Sequence, residues 1–467
     1  MFYKQDPNKI YQTQTLVVKN KETRLMDYCY NQTHAAKLLR NATVFRGRQF
    51  LFAHNKNYKD LKEHQTEVID EFNTYAADKY GKISETHYLP YVNEMKYLYE
   101  QSSNPDFFNS ALSSHARKNV VYQTMEDFSS YFKSMKKYTQ DKTNYTGKPN
   151  YPNYTKADTI TVNYTNEDCR IYYINGITYL KLPNMPMNKG SKIRPNRRGY
   201  VKLGKLKIDK LMHVKISPYY DTYKICIVYE IDKTDSKLNT SRILGIDPGL
   251  NNFLTTSNNC GLHPFIINGR DMKSYNQHYN ETLARLRSVL SKNQYTSAQI
   301  KHLSKKRNCY FTNKFHKITR YLINYCLINN IGVIVIGHNK LQKQNYDKSA
   351  IQNQHFCFIP NVSFLTMLKL CCETIGIQVI ETDESYTSKA SFFDFDDIPT
   401  YKKGTNKDYK FSGTRKHRGL FVSKNGTLIN ADVNGASNII RKVFPDAFKN
   451  ITDFTYLTET VDKIIIM

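Results

Sequence analysis

Apolar positions recur along this chain with three different periods. From Leu16 to about Tyr145 they return at helical spacing, as in Thr33–Asn41 and in Val120, Val121 and Tyr122 through Phe128 and Phe132. The stretch Gly147–Tyr154, with two prolines and a glycine, ends that pattern. From Thr159 to Ile231 short alternating runs follow, among them Thr159–Tyr164, Ile171–Ile174 and Tyr223–Tyr229. Asn175-Gly176 between two such runs predicts a tight hairpin. Several strands at this spacing predict a small β-barrel. From about Ser241 strands and helices alternate: an apolar strand Ile243–Asp247, a long basic helix from about Ser274 to Asn329, strands Gly332–Ile336 and Ile377–Ile380, and a helix Asn434–Val443. Strands separated by helices predict an α/β sheet with a parallel portion. No repeat of fixed period and no low-complexity tract interrupts the order.

Length and composition narrow the class. At 467 residues the chain has room for two to four domains, and 40% hydrophobic and 13% aromatic residues exclude wholesale disorder. Lys and Arg number 68 against 41 Asp and Glu, a net charge of +27. Such an excess repels itself and calls for a polyanion, which favours nucleic acid over a merely basic enzyme or a biased genome, although 37 Tyr and no Trp do point to bias. Nine cysteines are scattered from Cys29 to Cys372 without a Cys-x-x-Cys pair, which argues against a disulfide framework and a zinc ribbon. Met1–Asp6 carries no apolar signal core, and Ile331–Ile336 is too short to span a bilayer. A reduced, intracellular protein with no membrane partner is expected.

The candidate chemistry lies in acids at element ends. Asp247 closes the strand Ile243–Ile246 and precedes Pro248-Gly249; it reads as a turn-capping residue or as a metal ligand held rigidly by the strand. Asp432 precedes a helix with small neighbours Ala431, Gly435 and Ala436, which would either serve the helix dipole or let the helix aim the carboxylate at the sheet edge.

Together these segments resemble a known family. Gly245–Gly249 is similar to the first motif of RuvC-type, ribonuclease H-like nucleases, and Asn430–Ile439 to the third motif of the TnpB (OrfB) proteins of insertion sequences. Glu384–Ser391, Phe411–Leu420, Asn41–Gln49 and Gly147–Lys156 resemble the same family, so the likeness runs over essentially the whole chain. It implies an RNA-guided DNA endonuclease related to the Fanzor proteins and the type V CRISPR effectors. The implied fold class is α+β and multidomain. A wedge β-barrel (residues 1–20 and 146–238) would carry an inserted helical recognition lobe (21–145), and a ribonuclease H-like RuvC α/β nuclease domain (239–467) would follow. The implied partners are a guide RNA and target double-stranded DNA with a short flanking motif. The implied location is cytoplasmic and nucleoid-associated, or nuclear in a eukaryotic host.

Two departures from the family pattern matter. Most members place a glutamate after the second core strand, where this chain has Gly337. Two-metal hydrolysis needs about three carboxylates, and Glu384, just beyond the neighbouring strand, is the expected substitute; a subset of the family pairs a glycine with this segment. Glu381 and Asp383 are rivals, and His338 is a possible neutral ligand. The resemblance thus implies two Mg²⁺ ions held by Asp247, Glu384 and Asp432. The second departure is an insert at about 387–430 without cysteine, so no zinc is expected.

Basic residues cluster on separate elements. They are Arg40, Arg46 and Arg48; Lys133, Lys136 and Lys137; Lys192, Arg194, Arg197 and Arg198; Lys301–Lys317; and, in the insert, Arg415 and Arg418. Any one cluster reads as a solvated face, but several suit a channel that grips phosphates. Gly337 keeps open a nuclease-deficient RNA-guided DNA-binding repressor. A strand-joining transposase lacks a nucleophile motif of its own.

Overall fold

The computed structural model describes residues 9–53, 56–80, 105–108, 111–185, 200–233, 237–338, 359–400, 409–417 and 419–466. The fold is α+β and divides into two compact units, one reaching from Lys9 to Ile231 and the other from Asp232 onward.

The first unit begins with strand β1 (Lys9–Val17) and helices α1 (Thr23–Ala53), α2 (Glu63–Tyr80) and α3 (Ser114–Gln140). Six strands follow: β2 (Val162–Thr165), β3 (Arg170–Ile174), β4 (Ile177–Lys181), β5 (Tyr200–Gly204), β6 (Lys210–Tyr219) and β7 (Thr222–Asp232). They form a four-stranded sheet in the order β1-β7-β6-β2 and a three-stranded sheet β3-β4-β5. No ladder among the described residues joins the two into a closed barrel. Instead, alternate residues of both sheets, such as Val162, Leu180, Val214 and Ile225, share one core with Cys29, Ala36 and Leu39 of α1 and Val121 of α3. The Asn175-Gly176 hairpin forms as the sequence predicts. Both residues take positive φ (49° and 70°), which lets Ile174 pair with Ile177 across a two-residue turn.

In the second unit, β8 (Asn239–Pro248), β9 (Asn252–Asn258) and β10 (Phe265–Asn268) lead into α4 (Arg270–Ser288) and α5 (Ala298–Ile328). Next come β11 (Ile331–Gly337), α6 (Asn361–Ile375), β12 (Gln378–Thr382), a small sheet of β13 (Thr414–His417), β14 (Leu420–Val422) and β15 (Leu428–Asn430), α7 (Ala431–Val443) and β16 (Asp462–Ile464). The main sheet has six strands in the order β12-β11-β8-β9-β10-β16. β11 runs parallel to both β8 and β12, and β9 is antiparallel to β8 and β10.

Both faces of this sheet are covered, which is why β11 is apolar throughout. Leu244, Ile246, Ile334 and Ile336 join a core with Phe315 of α5 and Phe364 of α6. Their alternates Ile243, Val333 and Val335 meet Ile439 and Ile440 of α7. The basic stretch predicted as one helix is two. It breaks between Ser288 and Ala298, where Asn293 takes a φ of 71° and the Ser297 side chain accepts from Ile300 N to start α5. The helix predicted from Asn434 starts three residues earlier, because Asn430 caps it by accepting from the amides of Asp432 and Val433.

Candidate functional site

Asp247 stands at the end of β8, paired in register with Thr255 of β9. The backbone turns sharply after it, and Gly249 N donates to Phe253 O at 3.0 Å. A Cβ on Gly249 would lie 2.4 Å from Asn252 O, so the turn admits only glycine. α7 crosses directly over β8. A Cβ on Gly245 would meet Ala436 O at 2.5 Å, and one on Gly435 would meet the Asp247 carboxylate oxygen Oδ2 at 2.7 Å. The small residues that the sequence pattern singled out therefore bring the first turn of α7, with Asp432, against the end of β8. Asp432 accepts a hydrogen bond from Asn252 Nδ2 (2.7 Å) and pairs with Arg415 (3.3 Å).

Glu384 approaches from the next strand. β12 pairs with β11 as far as Gly337 opposite Thr382, and His338 N extends the ladder by one bond to Thr382 O. Two residues further on, Glu384 folds over the end of β11. A Cβ on Gly337 would lie 2.6 Å from Glu384 Cγ and 2.9 Å from its Oε1. The rivals are engaged elsewhere: Glu381 with His338 Nδ1 (2.9 Å) and Lys369, Asp383 with Ser385 and Lys442.

Burial and mutual repulsion dominate the electrostatics. Desolvation pushes the Asp247 carboxyl well above the usual carboxylate range, and the charges of Glu384 and Asp432 push the same way against Arg415. Burial, aided by Asp383 and opposed by Lys442, pushes Glu384 up to about 7. Among the described residues no group donates a hydrogen bond to either carboxylate. Nor do three or more His, Cys, Asp or Glu side chains among them converge as a ready-made chelate, since Asp432 faces Asn252 and Arg415. The donor chemistry nevertheless fits a hard divalent cation: carboxylate oxygens, with Arg415 and Lys442 too weak to offset the rise at Asp247 and Glu384.

The acids line a cleft of about 760 Å³ that Asp247 and Asp432 share with Arg270, Arg415, Lys416 and Lys463. A smaller adjoining cavity is lined by the same Pro248–Leu250 turn, by Gly337 and His338, and by Glu384. An acidic floor beneath a basic wall is an arrangement that can take a phosphodiester. Asn252 and Arg270 are members that the sequence reading did not pick out, because no local pattern marks them.

The other basic candidates divide. Arg46 is not a surface contact: its side chain is 7% exposed and pairs with Glu71 at 2.6 Å, bracing α1 against α2. Arg40 reaches Asp127 of α3 at 2.9 Å and also donates to Asn153 O and Thr155 Oγ1, so it fastens the proline-containing segment to the helices. Arg48 contacts Asn153 and lies over the Tyr154 ring. Lys133, Lys136 and Lys137 of α3 and Lys301, Lys306 and Lys317 of α5 are exposed. Lys192, Arg194, Arg197, Arg198 and Arg418 lie outside the described residues.

Residues 226–342 match the OrfB_IS605 family, described as a probable transposase, and residues 363–439 match the Cas12f1-like TNB domain. The first segment holds Asp247 and Gly337, the second Glu384 and Asp432. Over these two segments the chain is similar to the TnpB (OrfB) proteins and to the Cas12f1-like effectors. No curated protein matches the chain. Among solved structures, the chain is similar to a Cas12f1–sgRNA–target DNA complex at 12% identity, over 92% of this chain and 99% of that chain, with a TM-score of 0.46. A CRISPR-Cas12f ternary complex follows at 14% identity, 90% and 85% coverage and a TM-score of 0.31. A Cas12i1 R-loop complex before target DNA cleavage matches at 9% identity, 79% and 53% coverage and a TM-score of 0.32.

Proposed function

We propose that this protein is an RNA-guided DNA endonuclease that cleaves target DNA by metal-dependent phosphodiester hydrolysis. The observation that carries the reading is that Asp247 at the end of β8, Glu384 over the neighbouring end of β11 and Asp432 in the first turn of α7 lie near enough for the charges of the other two to raise the Asp247 carboxyl, beside a cleft lined by Arg270, Arg415 and Lys416. In this reading residues 239–467 are the RuvC-type nuclease domain. Residues 1–20 and 146–238 are the wedge, and 21–145 the recognition lobe. The partners are a guide RNA and a double-stranded target with a short flanking motif, and the setting is intracellular. Among the described residues no helix is long and apolar enough to cross a membrane.

Asp247, Glu384 and Asp432 would hold Mg²⁺, which when bound activates water and stabilises the leaving oxygen. The chain's own residues do the rest. The β8 turn fixes Asp247, and Asn252 orients Asp432 through its amide. Arg270, Arg415 and Lys416 supply cations to the phosphates of the strand entering the cleft. Arg415, already paired with Asp432, would also be at hand for a phosphate entering the cleft.

The test is cleavage by the purified protein, produced with the RNA encoded beside its gene, on matched duplex DNA with Mg²⁺. Cleavage should require the matched guide, stop with EDTA, and fall by orders of magnitude in Asp247→Ala, Glu384→Ala and Asp432→Ala. Matched binding without cleavage by the unaltered protein would instead make it a guided repressor. Binding that ignores the RNA would overturn the guided reading.

A further inference from the structure

Asn434, Asn438 and Lys442 follow one another at four-residue intervals along α7, so they share one face of the helix. That face is polar but turned inward. Asn434 Nδ2 donates to Ala390 O and its Oδ1 accepts from Phe392 N, both at 2.9 Å. Asn438 Nδ2 donates to Ala390 O at 2.7 Å and Thr387 O at 3.0 Å. Lys442 completes the row: its ammonium donates to Ser385 O (3.0 Å), Ser385 Oγ (3.1 Å) and Asp383 Oδ1 (3.2 Å). Its side chain is only 7% exposed. Every one of these bonds ends on the segment that carries Glu384.

Stability alone gives a poor account of Lys442. Burying an ammonium carries a large desolvation penalty, and an apolar side chain in place of a buried ion pair is often neutral or stabilising. Geometry gives a better one. Lys442 grips the residues on both sides of Glu384, and it does so from the last turn of the helix whose first turn carries Asp432. Ten helical residues fix those two points about 15 Å apart along one rigid axis. Gly337 leaves room for Glu384 but does not hold it there.

We infer that Lys442 is a positioning residue that fixes Glu384 relative to Asp432. A glutamate supplied from beyond β12 arrives on a loop, and Lys442, with Asn434 and Asn438, makes that loop part of α7. The inference rests on the proposed reading of Asp247, Glu384 and Asp432 as metal ligands.

The test is Mn²⁺ binding to the purified full-length protein by electron paramagnetic resonance, combined with amide hydrogen exchange over residues 383–390. Lys442→Met should weaken Mn²⁺ by about 10–100-fold, as loss of an outer-sphere support does. It should speed exchange around Ser385, while guided DNA binding persists. Where Lys442→Met fails to fold, Ser385→Ala removes one anchor without changing charge and should weaken Mn²⁺ several-fold. Unchanged Mn²⁺ affinity in the folded Lys442→Met variant, or in Ser385→Ala where that variant does not fold, overturns this inference and leaves the site intact. An unaltered protein without Mn²⁺ binding that Asp247→Ala abolishes overturns the ligand reading, and this inference with it.

Discussion

Gly337 and Glu384 occupy one space: a Cβ on the glycine would stand 2.6 Å from the glutamate's Cγ. An acid at position 337 and Glu384 in its present place exclude each other, so the glycine is the steric condition for a glutamate supplied from the neighbouring strand. Gly337→Ala should therefore displace Glu384. Because the methyl also meets Ile439 Cδ1 at 2.9 Å, overpacking should cost about 1–3 kcal/mol of stability. A ligand moved by about 1 Å should lower cleavage by about 10²-fold. Guided DNA binding measured beside cleavage checks this. Undiminished cleavage in Gly337→Ala would mean that Glu384 is not needed where it lies.

The raised carboxyl of Glu384 has a consequence for stability without metal. Its folded value is about 7 against an ordinary 4.5, so between these limits the folded state binds more protons than the unfolded one. Stability then falls as pH rises through that window. The penalty is absent below about 4.5 and complete above 7, and Asp247, raised for the same reason, adds to it. In EDTA the melting temperature should drop by a few degrees from pH 5 to pH 8, less steeply in Glu384→Gln. Mg²⁺ should raise it more at pH 8 than at pH 5. Calorimetric scans across that range decide the matter, and a melting temperature that climbs toward pH 8 in EDTA contradicts it.

What was legible in the sequence depended on range. The β8 strand with its terminal aspartate, the β11 run and the small-residue face of α7 each state their geometry locally, through an apolar period or a glycine that a close approach demands. The Asn175-Gly176 hairpin is local in the same way. The placement of Glu384 needed one long-range fact, that β12 lies beside β11, which the fold class supplied. The β13-β14-β15 sheet was not legible, because its strands are three or four residues long and bury little. Asn252 and Arg270 reach the cleft only through tertiary packing. The internal role of Arg46 was equally hidden, since an ion pair with Glu71 leaves no periodic trace in a basic helix.

Arg46 gives the clearest separation of structural from binding cations. Its pair with Glu71 is buried on both sides, at 7% and 16% exposure. Removing one partner of a buried pair leaves an uncompensated charge and costs about 3–5 kcal/mol. Arg46→Ala should lower the melting temperature markedly while leaving the salt dependence of DNA binding unchanged in the protein that remains folded. Arg270→Ala should do the reverse: little change in melting, weaker binding, and a shallower slope against salt concentration. A shallower salt slope in Arg46→Ala would return that residue to the binding surface.

Two glycines at the β8–α7 contact should respond in opposite ways. Gly435 lies within α7, where alanine is intrinsically better by about 1 kcal/mol. The only atoms its methyl would meet are those of the Asp247 carboxylate, at 2.7 and 3.5 Å. Gly435→Ala should therefore keep or slightly raise the melting temperature while displacing Asp247, and cleavage should need more Mg²⁺ and run slower at saturation. Gly245 lies within β8, and its methyl would meet the Ala436 carbonyl oxygen at 2.5 Å and Ile440 Cγ1 at 2.6 Å. A backbone atom of a packed helix cannot rotate away, so Gly245→Ala should push α7 off the sheet and cost stability first. Parallel melting and Mg²⁺ titrations of the two variants separate a glycine that clears a carboxylate from one that seats a helix. If both lost stability alike, Gly435 would belong to the packing and not to the site.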